Sequence, residues 1–384
     1  MNLIDRTSNI VNGKNDLTPL TVFEKFPVFM GCVDSPPEMD KFSDMNFYIS
    51  GSTGIIQINP ILPLEVIYQY SHGSGTVGKS WILHHQEFSK FINEFTPQSI
   101  FEIGGGSGIL SKKYNSQFNH INWTILEPNP DNDSDANIIK GFFDENFTHN
   151  EKFDFFVHSH VLEHIFYPDK FLTDISKFLN FGQKMIFSVP NLKEMFNRYY
   201  TNCINFEHTI LLTEEHIDHM LSKHQFKILS KKYFLDDHSI FYAVEKNKDV
   251  TETTLPKSIH TDNNVAFFRY IEYFDKLINC LNKEMNDFDG EIYLFGGHIF
   301  SQFLINRGLN ISKIISIIDN DINKQGKRLY GTPLMVQSPY ILRDKKNTAV
   351  ILVAANYDHE IKMDIINNIN KDTIFFTKKI LYEQ

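Results

Sequence analysis

Ser99–Leu110 reads SIFEIGGGSGIL: an apolar run, three glycines in a row, and a fourth two residues later. A strand that turns through glycine into a helix leaves several backbone N–H groups pointing at open space, where an anion or polar ligand can approach without meeting a side chain. From Gln98 onward similar runs recur as INWTILE, ANIIKGFF, FDFFVH and KMIFSVP, with the helical stretch PDKFLTDISKFLNFG between the last two. This alternation predicts an α/β fold built on a doubly wound, mostly parallel sheet.

A dinucleotide fingerprint, G-x-G-x-x-G, needs a glycine where Ile109 stands; the glycines fall instead at Gly104, Gly106 and Gly108. The resulting E-x-G-x-G-x-G, with Glu102 ahead of the turn, resembles the first motif of class I S-adenosylmethionine-dependent methyltransferases. INWTILE ends in Glu127, 19 residues after Gly108. An acidic side chain at the carboxyl end of the second strand can accept hydrogen bonds from ribose hydroxyls. The resemblance implies a Rossmann-like domain with S-adenosyl-L-methionine as cofactor. It places Asp144 of GFFDENF near the adenine amine, with Phe142 or Phe143 beside the ring or in the core. His158, Ser159 and His160 would then reach the mouth of the site from the fourth strand, and His158 completes the expected cofactor set.

The whole chain has 384 residues, more than one hydrophobic core usually supports, so two or three domains are expected. Its 42% hydrophobic and 22% charged residues are ordinary for a globular protein, and a formal charge of −10 argues against a nucleic-acid partner. Cys32, Cys203 and Cys280 lie far apart, which suggests neither a disulfide framework nor a thiolate zinc site. No apolar run approaches the roughly 20 residues of a membrane span, and the first residues lack a signal peptide's apolar core. A cytoplasmic protein is expected. Residues 1–95, with loop signals such as DSPPEMD and NPILP, read as an irregular N-terminal substrate or lid module; residues 96–245 read as the methyltransferase domain. A polar linker over 245–264, a helix, and EIYLFGGHIF with its following runs make 246–384 a second, smaller Rossmann-like domain.

Four further segments resemble, in the same order, the C-methyltransferases that act on nucleotide-linked keto-sugars. HVLEHI matches the segment carrying a functional histidine, here His164. NFEHTILLTEEHIDHML matches the Glu-His pair, here Glu207 and His208. DNDINKQGKRLYGTPLMV aligns Asp319, Lys324, Gln325 and Gly331 with the C-terminal domain, and YQYSHGSGTVGKSWILHH places Tyr68 or Tyr70 at the substrate. The resemblance implies His208, Glu207, His164 and Tyr70 as catalytic residues and a nucleotide sugar as the small-molecule substrate. This chain departs from the family in keeping only Cys32 of the N-terminal cysteine pairs, so no structural zinc and no other metal is expected. Asn205 or Phe206 stands where the family often has tyrosine.

The chemistry suits those residues. A sulfonium methyl is already electrophilic, so alignment and exclusion of water do most of the work. A carbon nucleophile additionally requires removal of a proton α to a carbonyl, and histidine, with a pKa of about 6.5, is a suitable base. His208 is the candidate base, with His164 or a tyrosine donating to the developing oxyanion.

Other readings exist for the same residues. HVLEH also spells the H-x-x-E-H of one zinc peptidase class, though the glycine motif upstream has no place there. His160 and His164 also read as solvated helix residues, the favoured reading for His160, while His84 and His85 near Trp81 read as surface packing and Glu207-His208 as a helix cap like Glu215-His216. Gly296-Gly297 with Asp319 suggests a second nucleotide turn, read here as one that has lost its cofactor. An O- or N-methyltransferase, or a nucleotide-sugar-binding or NAD-dependent Rossmann protein, remains the alternative function.

Overall fold

The computed structural model describes residues 2–67, 78–130, 136–149 and 152–378. Tyr68 and Tyr70 lie outside the described residues.

Strands β1 (Leu17–Pro27), β2 (Cys32–Val33), β3 (Phe42–Ser50) and β4 (Ile56–Ile58) open the chain, followed by the short helix α1 (Leu64–Ile67). β3 pairs antiparallel with both β1 and β4. Met45, Phe47 and Ile49 alternate inward and are at most 3% exposed, the period of two that a half-buried strand requires. The N-terminal region, read as irregular from its prolines and glycines, thus contains a β-meander between its loops.

The next elements are α2 (Lys79–Asn93), β5 (Ser99–Ile103), α3 (Ile109–Gln117), β6 (Asn122–Glu127), β7 (Asn137–Lys140), β8 (Phe155–Ser159), α4 (Pro168–Phe178), β9 (Lys184–Pro190), α5 (Leu192–Asn197), β10 (Ile210–Leu211), α6 (Glu214–Lys223), β11 (Phe226–Phe234) and β12 (Ser239–Lys246). Seven of these strands form one sheet in the order β11-β12-β9-β8-β5-β6-β7. Only β12 runs against the others. This is the class I methyltransferase arrangement anticipated from the glycine motif. Phe88, Phe91 and Ile92 of α2 and Leu110 and Tyr114 of α3 cover one face; α4 and α6 cover the other. The apolar runs of β5, β6, β8 and β9 are buried on both sides, as central parallel strands must be, whereas β7 lies at the edge and is partly exposed.

β10 leaves that sheet and pairs with β4, so the meander extends into the methyltransferase region. Arg6 reinforces the junction. Its guanidinium donates to the carbonyls of Ile58 at 2.8 Å and Thr209 at 2.7 Å.

The long helix α7 (Ile259–Asp287) begins inside the polar 245–264 stretch, because Ile259 is buried and Asn263 donates to the Gly54 carbonyl at 3.0 Å. Phe267, Tyr270, Phe274, Leu277, Leu281 and Met285 form its buried stripe. β13 (Glu291–Phe295), α8 (Ile299–Asn306), β14 (Ile314–Ile318), β15 (Arg328–Leu329), β16 (Val336–Gln337), β17 (Thr348–Ile351), α9 (Asp358–Asp364) and β18 (Ile374–Phe376) complete the chain. The sheet β16-β14-β13-β17-β18 is wholly parallel. One continuous core joins the meander, α7 and this sheet. β15 pairs with β2, and beside it Arg328 grips Asp40 through two buried contacts of 2.6 and 2.8 Å.

Candidate active site

The glycine bend follows β5 directly. Gly104, Gly106 and Gly108 have φ of 69°, 53° and 73°, in the left-handed region where a β-carbon is costly. A β-carbon on Gly106 would meet nothing within 4 Å, so the bend faces open space there. One on Gly105 would strike the Glu102 carboxyl and Ile125, both at 2.8 Å. Glu102 therefore does not face the cleft, as expected of a cofactor ligand. It lies beneath the bend, 2% exposed, and accepts the Trp123 indole N–H at 2.8 Å. Burial pushes its carboxyl up to about 8, with Glu127 adding to the rise and the Trp123 hydrogen bond opposing it.

Glu127, at the end of β6, turns toward the bend: its carboxylate accepts the Gly106 N–H at 3.1 Å and the Asn129 N–H at 3.0 Å. Bend and carboxylate thus form one surface. Asp144 is exposed and accepts the Asn146 N–H at 2.8 Å, closing a local turn. Phe142 is 67% exposed, whereas Phe143 packs against Phe147, Phe156, Phe171 and Phe178. Phe143 is therefore core, leaving Phe142 as the ring open to a ligand. His158 departs from its expected place at the mouth. It is wholly buried, stacked on Phe187 at 4.8 Å, and neither ring nitrogen has a hydrogen-bond partner among the described residues. The two-residue period of β8 aims it under α4, and burial lowers its pKa to about 3.

His164, Glu207 and His208, 43 or more residues apart in sequence for the first and the others, come together. The His164 and His208 rings lie 5.1 Å apart, and His164 Nδ1 is 3.7 Å from the Glu207 carboxylate. Asn205 organises this turn. Its Oδ1 accepts the backbone N–H of both Glu207 and His208 at 2.9 Å, and its Nδ2 is 3.2 Å from His208 Nδ1. Thr209 is tied to Arg6 and to the Ile58 N–H, so the meander holds the candidate base in place. Glu207-His208 is not a helix cap; that role belongs to His216, which closes a capping box with Thr213 and reaches the Thr53 carbonyl at 2.9 Å. Val161 connects this group to the bend, its Cγ2 sitting 2.7 Å from where a Gly104 β-carbon would be.

Sequence reading passed over Glu163. Its carboxylate contacts His160 Nδ1 at 2.9 Å, and with His208 it lines a narrow cavity otherwise made of apolar groups such as Val189, Leu192 and Ile210. Burial opposes ionisation of Glu163, but His160 and then His164 and His208 outweigh it and draw the pKa down to about 2. Burial, reinforced by His164, takes His208 down to about 3 and keeps its ring neutral.

HVLEH forms a 3-10 turn, and its two histidines part company. His164 faces His208, whereas His160, with φ of 52°, turns toward His84 and His238. His84 and His85 are not surface residues: they are 0% and 9% exposed, and Trp81 packs against both. His238 went unnoticed because nothing in its sequence surroundings marks it.

The second glycine turn is filled. A β-carbon on Gly297 would meet Cys32 Sγ at 3.0 Å and Val336 Cγ2 at 3.1 Å, while the Gly297 N–H donates to Asp319 at 2.8 Å. Lys324 and Gln325 also hydrogen-bond Asp319, and Gly331 donates its N–H to Asp40 at 2.8 Å.

Residues 80–231 match the family model described as a methyltransferase domain. Among solved structures, the chain is similar to an S-adenosylmethionine-dependent methyltransferase from Clostridium acetobutylicum (16% identity, TM-score 0.35, covering 42% of this chain and 92% of that one). It is also similar to the N-methyltransferase NodS of Bradyrhizobium japonicum (14%, 0.35, 45% and 99%) and to human N-acetylserotonin methyltransferase (15%, 0.37, 44% and 53%). A search of curated proteins by sequence returned no match. The sheet order and the domain match carry the fold class.

Proposed function

We propose that this chain, built around a methyltransferase domain at residues 80–231, transfers a methyl group from S-adenosylmethionine to a small molecule, with a nucleotide-linked keto-sugar as substrate and carbon as acceptor. The observation that supports it most is the junction at Val161: the open glycine bend with Glu127 lies one side chain from the turn that joins His164 to Glu207 and His208.

The donor's sulfonium supplies an electrophilic methyl group. Gly104, Gly106 and Gly108 would hold it at the bend, Glu127 would accept the ribose hydroxyls, and the exposed ring of Phe142 would lie against the adenine. His208 removes the proton next to the carbonyl; burial keeps its ring neutral but weakens it as a base, and the Glu163 carboxylate across their shared cavity opposes that loss by favouring the imidazolium. Glu207 orients His164, which donates to the enolate oxygen. The apolar walls at Val189, Leu192 and Ile210 keep water from competing for the base.

The tests separate binding from chemistry. Calorimetry should show one S-adenosylhomocysteine per chain and no NAD. His208→Ala should lower kcat by roughly 10²- to 10⁴-fold with cofactor affinity unchanged; full turnover in that variant would remove His208 as the base. A product heavier by one methylene and resistant to O-demethylation identifies carbon as acceptor, whereas a labile methyl ether points to oxygen.

A further inference from the structure

We propose that His84, His160 and His238 form a binding site for a divalent cation of the zinc type, with Glu163 as the carboxylate that orients it. The cluster shares Glu163 with the cavity of His208, but the metal titration below reads it without reference to methyl transfer.

Three separate elements deliver the rings: α2, the turn after β8, and the residue preceding β12. One nitrogen of each lies within 4.8 Å of the other two. Glu163 contacts His160 Nδ1 at 2.9 Å, which fixes the proton there and leaves Nε2 with its lone pair turned inward. Metal-bound histidines are characteristically backed by a carboxylate in this way. The Ser239 hydroxyl bridges His160 Nε2 at 2.9 Å and His238 Nδ1 at 2.7 Å, so a bound ion would take the place of these two hydrogen bonds. His84 is fully buried, with Nε2 at 2.9 Å from the Ser188 hydroxyl and Nδ1 lacking a partner among the described residues. A buried polar nitrogen without a partner is costly, and a cation would relieve it.

The chemistry of the donors selects the ion. Imidazole nitrogens with no thiolate suit zinc, cobalt, nickel or copper rather than magnesium or calcium. The Glu163 carboxylate, 2.9 Å from His160 Nδ1, would supply countercharge. Bonds of about 2.0 Å to a tetrahedral ion put donors about 3.3 Å apart, so loading draws the rings inward by roughly 1 Å. His160, whose side chain is 15% exposed, gives solvent or a substrate oxygen access to the fourth position.

Trp81 makes the site observable, because its ring lies 4.9 Å from those of His160 and His238 and 5.2 Å from that of His84. Full-length protein stripped of metal is titrated with Co²⁺ and then Zn²⁺. The expected result is one Co²⁺ per chain with visible d–d absorption, quenching of tryptophan emission that Trp81→Phe removes, and displacement by Zn²⁺. His84→Gln and His238→Gln should each abolish the band, Glu163→Gln should weaken affinity 10- to 100-fold, and His120→Ala, at an exposed position, should change nothing. Absence of a band in the folded wild type overturns the proposal without recourse to any variant. So does a band that persists in a folded protein carrying both His84→Gln and His238→Gln, since the ion then sits elsewhere.

Discussion

The chain makes the same local device twice, and only one copy is open. In both, a strand ends in glycine and an acidic residue at the end of the neighbouring strand accepts a glycine N–H: Glu127 from Gly106 at 3.1 Å, Asp319 from Gly297 at 2.8 Å. Above Gly106 there is space, whereas above Gly297 stand Cys32 and Val336. Cys32 comes from β2 in the N-terminal region, and its thiol donates to the Gly297 carbonyl at 3.1 Å. A motif that binds nucleotides when it faces solvent becomes an anchor when another part of the chain fills it. The difference lies in packing and in sequence, because the open turn continues through Gly106, Ser107 and Gly108 whereas the filled one continues through His298, Ile299 and Phe300.

The largest effect should come from loosening the filled copy. Asp40 and Arg328 are a buried pair, with side chains 1% and 6% exposed, beside the strand that carries Cys32. Asp40→Ala leaves the guanidinium without its carboxylate, which costs about 3–5 kcal/mol for buried pairs. Urea unfolding should show that loss while calorimetry still counts one S-adenosylhomocysteine per chain. A count of two would mean that the second turn is a concealed nucleotide site.

Next comes the acid of the open copy. Glu127→Ala removes a carboxylate poised for two charge-assisted hydrogen bonds, together about 3 kcal/mol, so S-adenosylhomocysteine affinity should fall about 100-fold. Asp319→Ala should leave that affinity within about threefold and lower the melting temperature instead. Equal losses of affinity would erase the distinction between the turns.

These contrasts show why some of the molecule was legible and some was not. The β5, β6, β8 and β9 runs are mainly apolar because both of their faces are buried, and the glycines at 104, 106 and 108 announce positive φ, so the sheet and its cleft followed from sequence. The place of Glu127 at the end of β6 was legible for the same reason, since it is fixed by local strand length. His158 and Glu102 were misplaced because a shift of one residue along a strand exchanges cleft for core, and short motifs do not set that register. The β-meander was hidden by its turn residues. His84, His160 and His238 meet only through packing of elements 76 and 78 residues apart, which leaves no spacing to read.

A smaller effect tests the bends themselves. Gly106→Ala places a methyl in open space at φ of 53°, costing about 1 kcal/mol of stability. Because that methyl projects where the ligand should rest, affinity for S-adenosylhomocysteine should drop at least about tenfold. Gly297→Ala presses on Cys32 and Val336 and should cost stability alone. If Gly106→Ala bound the ligand normally, the open bend would not be the ligand's seat.

The smallest effect on ligand affinity concerns the carboxyl beneath the open bend, where stability instead varies with pH. Glu102 carries a pKa of about 8, raised by burial above its ordinary value of 4.5. Between those values the folded state keeps a proton that the unfolded chain has released, so stability falls as pH rises, by at most about 1.4 kcal/mol per pH unit. Below 4.5 both states are protonated and the penalty is absent. Glu102→Gln retains an acceptor for the Trp123 N–H and has no proton to lose, so its melting temperature should stay flatter between pH 6 and 9 than that of the wild type. Cofactor affinity should change little, because the side chain shapes the floor of the bend and does not reach above it. Were Glu102→Gln instead to lose S-adenosylhomocysteine binding at constant stability, the carboxylate would have to swing into the cleft when ligand arrives, and the open bend would owe its affinity to two acids.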